Sequence, residues 1–144
     1  MTFLNPFRAK ANGGGPEEKT MVREVGGAMA PIWSSFVEPG KTRAVLYVVD
    51  SSSPETIGSA TVHFVELLGH PSLEGVSVMI VFSKLDREGA RKLHELKSLM
   101  RLDQIVGSGN HDVTEVSFNH KKREKVAEVF DWCMQFQGPP QEQE

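Results

Sequence analysis

Two short apolar runs constrain this chain more than anything else in its sequence: Arg43–Asp50 (RAVLYVVD) and Val76–Phe82 (VSVMIVF). Each has the length of a strand and lacks polar alternation, the pattern of a parallel strand buried on both faces. Between them Ile57, Ala60, Phe64, Leu67 and Leu68 recur at helical spacing. Ser53-Pro54-Glu55 predicts the helix start, with Ser53 as cap, Pro54 at the first position and an acid in the first turn. Gly69-His70-Pro71 ends it. Strand, helix and strand make a βαβ unit.

The alternation continues downstream. A helix is predicted over about 88–101, with Leu93, Leu96 and Met100 inward, then a third strand over Val113–Ser117. A last helix over about 121–136 is expected to turn Val126, Val129, Phe130, Cys133 and Phe136 inward. Upstream, Thr20–Val25 reads as a strand ending at Gly26-Gly27, and Pro31–Val37 as one or two helical turns. If residues 2–10 also form a strand, the breaker Asn12–Pro16 is the loop of a hairpin. The predicted division is an irregular N-terminal segment or short edge strand over 1–19, one α/β domain over 20–137, and a disordered tail over 138–144.

A length of 144 residues suits one domain. A net charge of −3 creates no field that would draw the chain onto nucleic acid, so no nucleic-acid partner is expected. Cys133 is the single cysteine, which rules out a disulfide within the chain and fits a reducing, cytoplasmic compartment. No apolar run approaches the length of a membrane span, and the first residues do not read as a secretory signal.

In doubly wound sheets, ligands bind at the carboxyl ends of the strands. Three features fall there: Gly26-Gly27, Asp50, and Ser83-Lys84-Leu85-Asp86. A tetrapeptide of the Asn/Thr-Lys-x-Asp kind after a buried strand can read guanine. Its Asp accepts from the ring N–H and the exocyclic amine, while the Lys stem packs over base or ribose. Here Ser83 stands in the Asn place, and a plain polar turn is the competing reading. Glu24-Val25-Gly26-Gly27-Ala28 resembles a strand ending in Asp-x-x-Gly, where a backbone N–H meets a γ-phosphate and the acid holds Mg2+ through water; a simple glycine turn competes. Asp50-Ser51-Ser52-Ser53 admits a phosphoacceptor with Lys84 as its partner, or a metal site, but reads best as Asp and Ser capping the next helix. His120-Lys121-Lys122-Arg123 opens the last helix with positive charge that opposes the helix dipole. It is read as a solvated face or as a contact to anionic lipid or a partner.

Taken together, Arg23–Trp33, Leu46–Ser51, Val81–Asp86, Leu96–Leu102 with Ile105, and Phe130-Asp131-Trp132 resemble the Arf-like small GTPases over about residues 20–136. The resemblance implies an α/β, incomplete doubly wound, P-loop GTPase-like sheet, mostly parallel and flanked by helices, with the first strand and P-loop absent. It implies GTP/GDP and Mg2+ as ligands, with Gly27 at the γ-phosphate, Glu24 near Mg2+, and Ser83, Lys84 and Asp86 at guanine. Ser117 and Phe118 fall on the loop whose backbone meets the base, with Phe118 in place of the family's Ala. Effector or regulatory proteins and peripheral membrane association are the implied partners, and membrane or ciliary traffic the implied setting.

Two departures bear on activity. No G-x-x-x-x-G-K-[ST] occurs in the 144 residues, so the cradle for the β- and γ-phosphates is missing from them. Ala28 stands where the family's water-orienting Gln would be. Impaired binding and no hydrolysis by this chain are therefore expected, the alternative being a nucleotide-free pseudo-GTPase or truncated isoform used for protein interaction. In the family the first strand lies centrally. Each buried unpaired backbone group costs about 1–3 kcal/mol, against about 5–15 kcal/mol of total stability. Either neighbouring strands close the gap, another chain fills it, or the sequence is one piece of a longer product.

Overall fold

Both apolar runs form strands because their β-branched residues suit a pleated surface and can be buried without a polar group to satisfy. In the computed structural model, which describes residues 2–9, 17–108, 111–118 and 123–136, they are β3 (Ala44–Asp50) and β4 (Ser77–Ser83). The two pair in parallel from Ala44↔Ser77 to Asp50↔Ser83. β5 (Val113–Ser117) continues the parallel set on the far side of β4. On the near side of β3 stand β1 (Thr2–Ala9) and β2 (Glu17–Glu24), an antiparallel hairpin that completes the sheet order β2-β1-β3-β4-β5. β1 meets β3 antiparallel through only three pairs, Thr2↔Leu46, Phe3↔Val45 and Leu4↔Ala44. A neighbouring strand thus closes the near edge of β3 over its first half.

The helices are α1 (Ile57–Leu68), α2 (Leu93–Met100), α3 (Leu102–Ser108) and α4 (Arg123–Met134). A 3₁₀ segment runs over Gly27–Phe36. One face of the sheet carries the larger core: Val45, Tyr47 and Val49 of β3 and Val78, Ile80 and Phe82 of β4 pack with Trp33, Phe64, Leu96, Met100 and Leu102. The other face holds a smaller cluster, Ala44, Met79, Val81, Val116 and Trp132, covered by α4.

Several expectations change at this level. β3 is not buried on both faces, for Val48 is 47% exposed while Val45, Tyr47 and Val49 are sealed. The reason is tertiary: the larger core receives the 3₁₀ segment, α1, α2 and α3, whereas among the described residues the second face is covered by α4. On α4, Val126 and Phe130 point outward and Trp132 is the buried residue. Helical periodicity marks an apolar arc but not the part of it that meets the sheet. The helix predicted over 88–101 is shorter, because residues 84–92 first make turns and the chain reverses at Arg101, which adopts a left-handed φ of 50° before α3. Ser53 occupies the cap position but bonds through its carbonyl, which accepts from the Thr56 N–H and hydroxyl. The expected hairpin loop at 12–16, most of the basic run at 120–123 and the expected tail at 138–144 fall outside the described residues.

Candidate functional site

The carboxyl ends of β3, β4 and β5 lie side by side, so three chain segments distant in sequence meet there. Ser83 closes β4, and its hydroxyl donates to the Val49 carbonyl at 2.9 Å. The Ser51 N–H donates to the Ser83 carbonyl at 3.0 Å. These two bonds brace the exits of β3 and β4 against each other.

Lys84 follows in a left-handed conformation, φ 59°, which a residue with a Cβ adopts only when its surroundings hold it there. Its ammonium lies 2.5 Å from Asp50 Oδ2. The other carboxylate oxygen, Oδ1, accepts from the Ser52 N–H at 3.0 Å and the Ser52 hydroxyl at 2.6 Å. Lys84 foremost, then Ser52, hold the Asp50 carboxyl down at about 2. Asp50 is thus a partner of the guanine-type tetrapeptide as well as a turn former. The signal was available in sequence, since an acid ending one parallel strand and a Lys ending the next are register neighbours. Leu85 packs into the larger core and Asp86 is half-buried beside it.

Ser117 is the last residue of β5 and pairs in register with Phe82. The Phe118 N–H donates to the Phe82 carbonyl at 2.7 Å, so the sheet ladder already uses it. The Phe118 side chain packs against the smaller core. Of the expected base-contacting positions, Ser83, Lys84, Asp86, Ser117 and Phe118 are therefore brought together. A pocket of about 120 Å³ lined by Phe82, Leu93, Ser117 and Lys125 opens in this region.

Glu24 and Gly27 stand apart from that group. Glu24 ends β2 opposite Thr2, which in turn faces Leu46, so two strand spacings, about 10 Å, separate it from β3. It is exposed. Gly27 opens the 3₁₀ segment and is also exposed; a Cβ added there would meet nothing within 4 Å. The Gly26 carbonyl accepts from the Met29 N–H at 3.1 Å and from Trp33 Nε1 at 3.0 Å, which ties the segment back onto its own start. Trp33 then packs edge-on against Tyr47 and His63, each with ring centroids 5.8 Å away.

The tetrapeptide supplies a carboxylate and a lysine stem next to a partly apolar wall. No group of three or more His, Cys, Asp or Glu side chains among the described residues could hold a metal ion. A larger cavity of about 440 Å³, lined by Leu68, His70, Ile105 and His111, is shared by none of the expected site residues.

Comparison with known proteins accords with this arrangement. The model of the ADP-ribosylation factor family matches residues 18–136. ADP-ribosylation factor-like protein 16 of Homo sapiens is 34% identical over 116 residues, 81% of this chain and 58% of that protein. ADP-ribosylation factor 3 of Arabidopsis thaliana is 35% identical over 91 residues, 56% of this chain and 49% of that protein. The chain thus spans about half the length of these relatives. Among solved structures, the Arl6 BBS3 small GTPase from Trypanosoma brucei with bound nucleotide analogue GppNp superposes with a TM-score of 0.67 at 21% identity, over 92% of this chain and 77% of that one. With a small-GTPase fold and a family match running from β2 through α4, the chain belongs to the ADP-ribosylation factor family.

Proposed function

We propose that this chain is the base-reading and switch portion of a guanine-nucleotide-dependent switch acting in intracellular membrane or ciliary traffic. One observation carries the reading: Ser83-Lys84-Leu85-Asp86 leaves the carboxyl end of β4 braced onto β3 and flanked by Ser117 and Phe118. Asp86 is assigned to the guanine edge and the Lys84 stem to the base or ribose. Gly27 is assigned to the γ-phosphate and Glu24 to a water on Mg2+. Bound GTP would supply the phosphates whose presence or loss the Gly26-Gly27 segment senses, and Mg2+ would offset their charge. The 144 residues contain no Walker-type phosphate loop, so the phosphates contribute little to affinity beyond the Gly27 and Glu24 contacts, and binding is weak. Ala28 cannot orient a water, which assigns hydrolysis to no residue of this chain. Family membership supports effector or regulatory proteins as partners, peripheral membrane contact and a cytoplasmic setting. No described helix is long and apolar enough to cross a membrane.

A second reading, a nucleotide-free interaction module, is favoured by two bonds: the Phe118 N–H is spent on Phe82, and the Lys84 ammonium is engaged by Asp50. Titration of the folded chain with a fluorescent GTP analogue and Mg2+ separates the two. Micromolar binding that Asp86→Ala removes without changing the melting temperature supports the switch. Absence of binding by a chain whose circular dichroism shows it folded rejects the switch for these residues and leaves the module.

A further inference from the structure

The cavity of about 440 Å³ lies at the opposite end of the sheet from Ser83-Lys84-Leu85-Asp86. Glu74 precedes β4 and His111 precedes β5, so both stand at the amino-terminal ends of parallel strands. The carboxyl ends of α1 and α3 complete the wall, with Val65, Leu68 and Ile105 as its apolar part. All of the lining comes from residues 65–111, on the side of the larger core. A cavity of this size, with apolar walls and a few polar groups, has the make-up of a small-molecule site.

The polar part of the wall is already held in place. His111 Nε2 donates to the Leu68 carbonyl at 2.5 Å, across 43 positions of sequence, which ties the start of β5 to the end of α1. His70 Nδ1 accepts from the Ser72 N–H at 3.2 Å and lies 2.7 Å from the Ser72 hydroxyl.

Three features make the cavity electronegative. First, α1 and α3 both end at it, and neither has a basic residue in its last turn to offset the partial negative charge of its final carbonyls. Second, Glu74 is the one carboxylate in the lining, and no Lys or Arg accompanies it. Glu74 is exposed and makes no ion pair among the described residues. Third, the Leu68 carbonyl can only accept, so a neutral His111 ring carries its proton on Nε2. Nδ1 is then a bare lone pair, buried and with no partner among the described residues. A cation entering the cavity is attracted by all three, and an anion is repelled by all three.

We propose that this cavity binds a small organic cation, an ammonium or guanidinium group carried on an apolar stem or ring. The charged head lies at Glu74 and the end of α1, and the stem packs against Val65, Leu68 and Ile105. A molecule with an apolar body and a charged tip uses both parts of the wall at once.

The test is two-dimensional NMR on the full chain, following the amide signals of Gly69, His70, Ile105 and His111. The probes are phenethylamine, the neutral 2-phenylethanol and the anion 3-phenylpropionate, which share an apolar body and differ in charge. Phenethylamine should give saturable shifts with a Kd of about 1 mM or tighter. The alcohol should bind about tenfold more weakly, and the anion more weakly still. Glu74→Gln should weaken phenethylamine by about fivefold or more and leave the alcohol unchanged, which a loss of folding could not produce. Glu55→Gln, an exposed acid at the other end of α1, should change neither. Absence of saturable shifts with phenethylamine overturns the proposal. So does 3-phenylpropionate binding as tightly as the amine, or a Glu74→Gln variant that binds the amine as the parent does.

Discussion

Lys84 Nζ lies 2.5 Å from Asp50 Oδ2, a bond across 34 positions of sequence that ties the exit of β4 to the exit of β3. It links the tetrapeptide assigned to guanine with the acid that shapes the neighbouring turn. Both partners are partly exposed, so its worth is that of a surface pair, under about 1 kcal/mol.

The acid limb of the stability curve should report this bond. Asp50 is held at about 2, below its ordinary value of 3.8. A carboxyl whose folded pKa is depressed stabilises the fold fully above its unfolded value, and that contribution is lost as pH falls through the folded one. Asp50→Asn should therefore flatten the loss of stability between about pH 4 and pH 2 and cost under about 1 kcal/mol at neutral pH. Urea melts across a pH series would show it; a variant with the same acid slope as the parent would contradict the assignment.

Two serines at the site should respond oppositely to alanine. Ser83→Ala removes the donor to the Val49 carbonyl and should cost about 1 kcal/mol. Ser51 is fully buried, and its hydroxyl has no hydrogen-bond partner among the described residues. Removing an unsatisfied hydroxyl should be neutral or stabilising by up to about 1 kcal/mol. Thermal melts of the two variants side by side give the comparison.

Tyr47 anchors the larger core through a polar tip. Its hydroxyl donates to the Ala60 carbonyl at 2.7 Å, and burial pushes the phenol pKa well up. Tyr47→Phe keeps the ring contacts with Trp33 and Phe64 and should cost about 1 kcal/mol, read from denaturant midpoints at constant slope. The raised pKa also implies that no tyrosinate absorbance develops below the pH of alkaline unfolding.

Gly27→Ala separates a binding role from a structural one. The added methyl meets nothing within 4 Å, so stability should be unchanged or rise by up to about 1 kcal/mol. If the Gly27 backbone meets the γ-phosphate, the same variant should reduce the preference for a GTP analogue over GDP. Equal titration curves for variant and parent would remove Gly27 from the site.

Much of this architecture is legible in residue patterns because the patterns are local. RAVLYVVD and VSVMIVF could hardly be anything but buried strands, and Ile57, Phe64 and Leu67 line the inner side of α1 as their spacing requires. The tetrapeptide at 83–86 was legible because turn chemistry and strand end coincide in a few adjacent residues. The Asp50–Lys84 bond was only half legible, since it depends on the register of two strands separated by a helix. The use of the Phe118 N–H by Phe82 was not legible at all, because a ladder bond depends on a partner strand that the local sequence does not specify.

The same division holds for the whole protein. Sequence alone determined which segments become strands and helices, where the strand ends gather polar residues, and the Arf-like kinship of residues 20–136, because these rest on short-range periodicity and motif spacing. Tertiary structure decided that a hairpin strand meets β3 over only three pairs, that Val48 is left in solvent, and that α4 turns Phe130 outward and Trp132 inward. An apolar residue records that it can be buried. Whether it is buried depends on how many other elements compete for the same face, and that count exists only once the chain has folded.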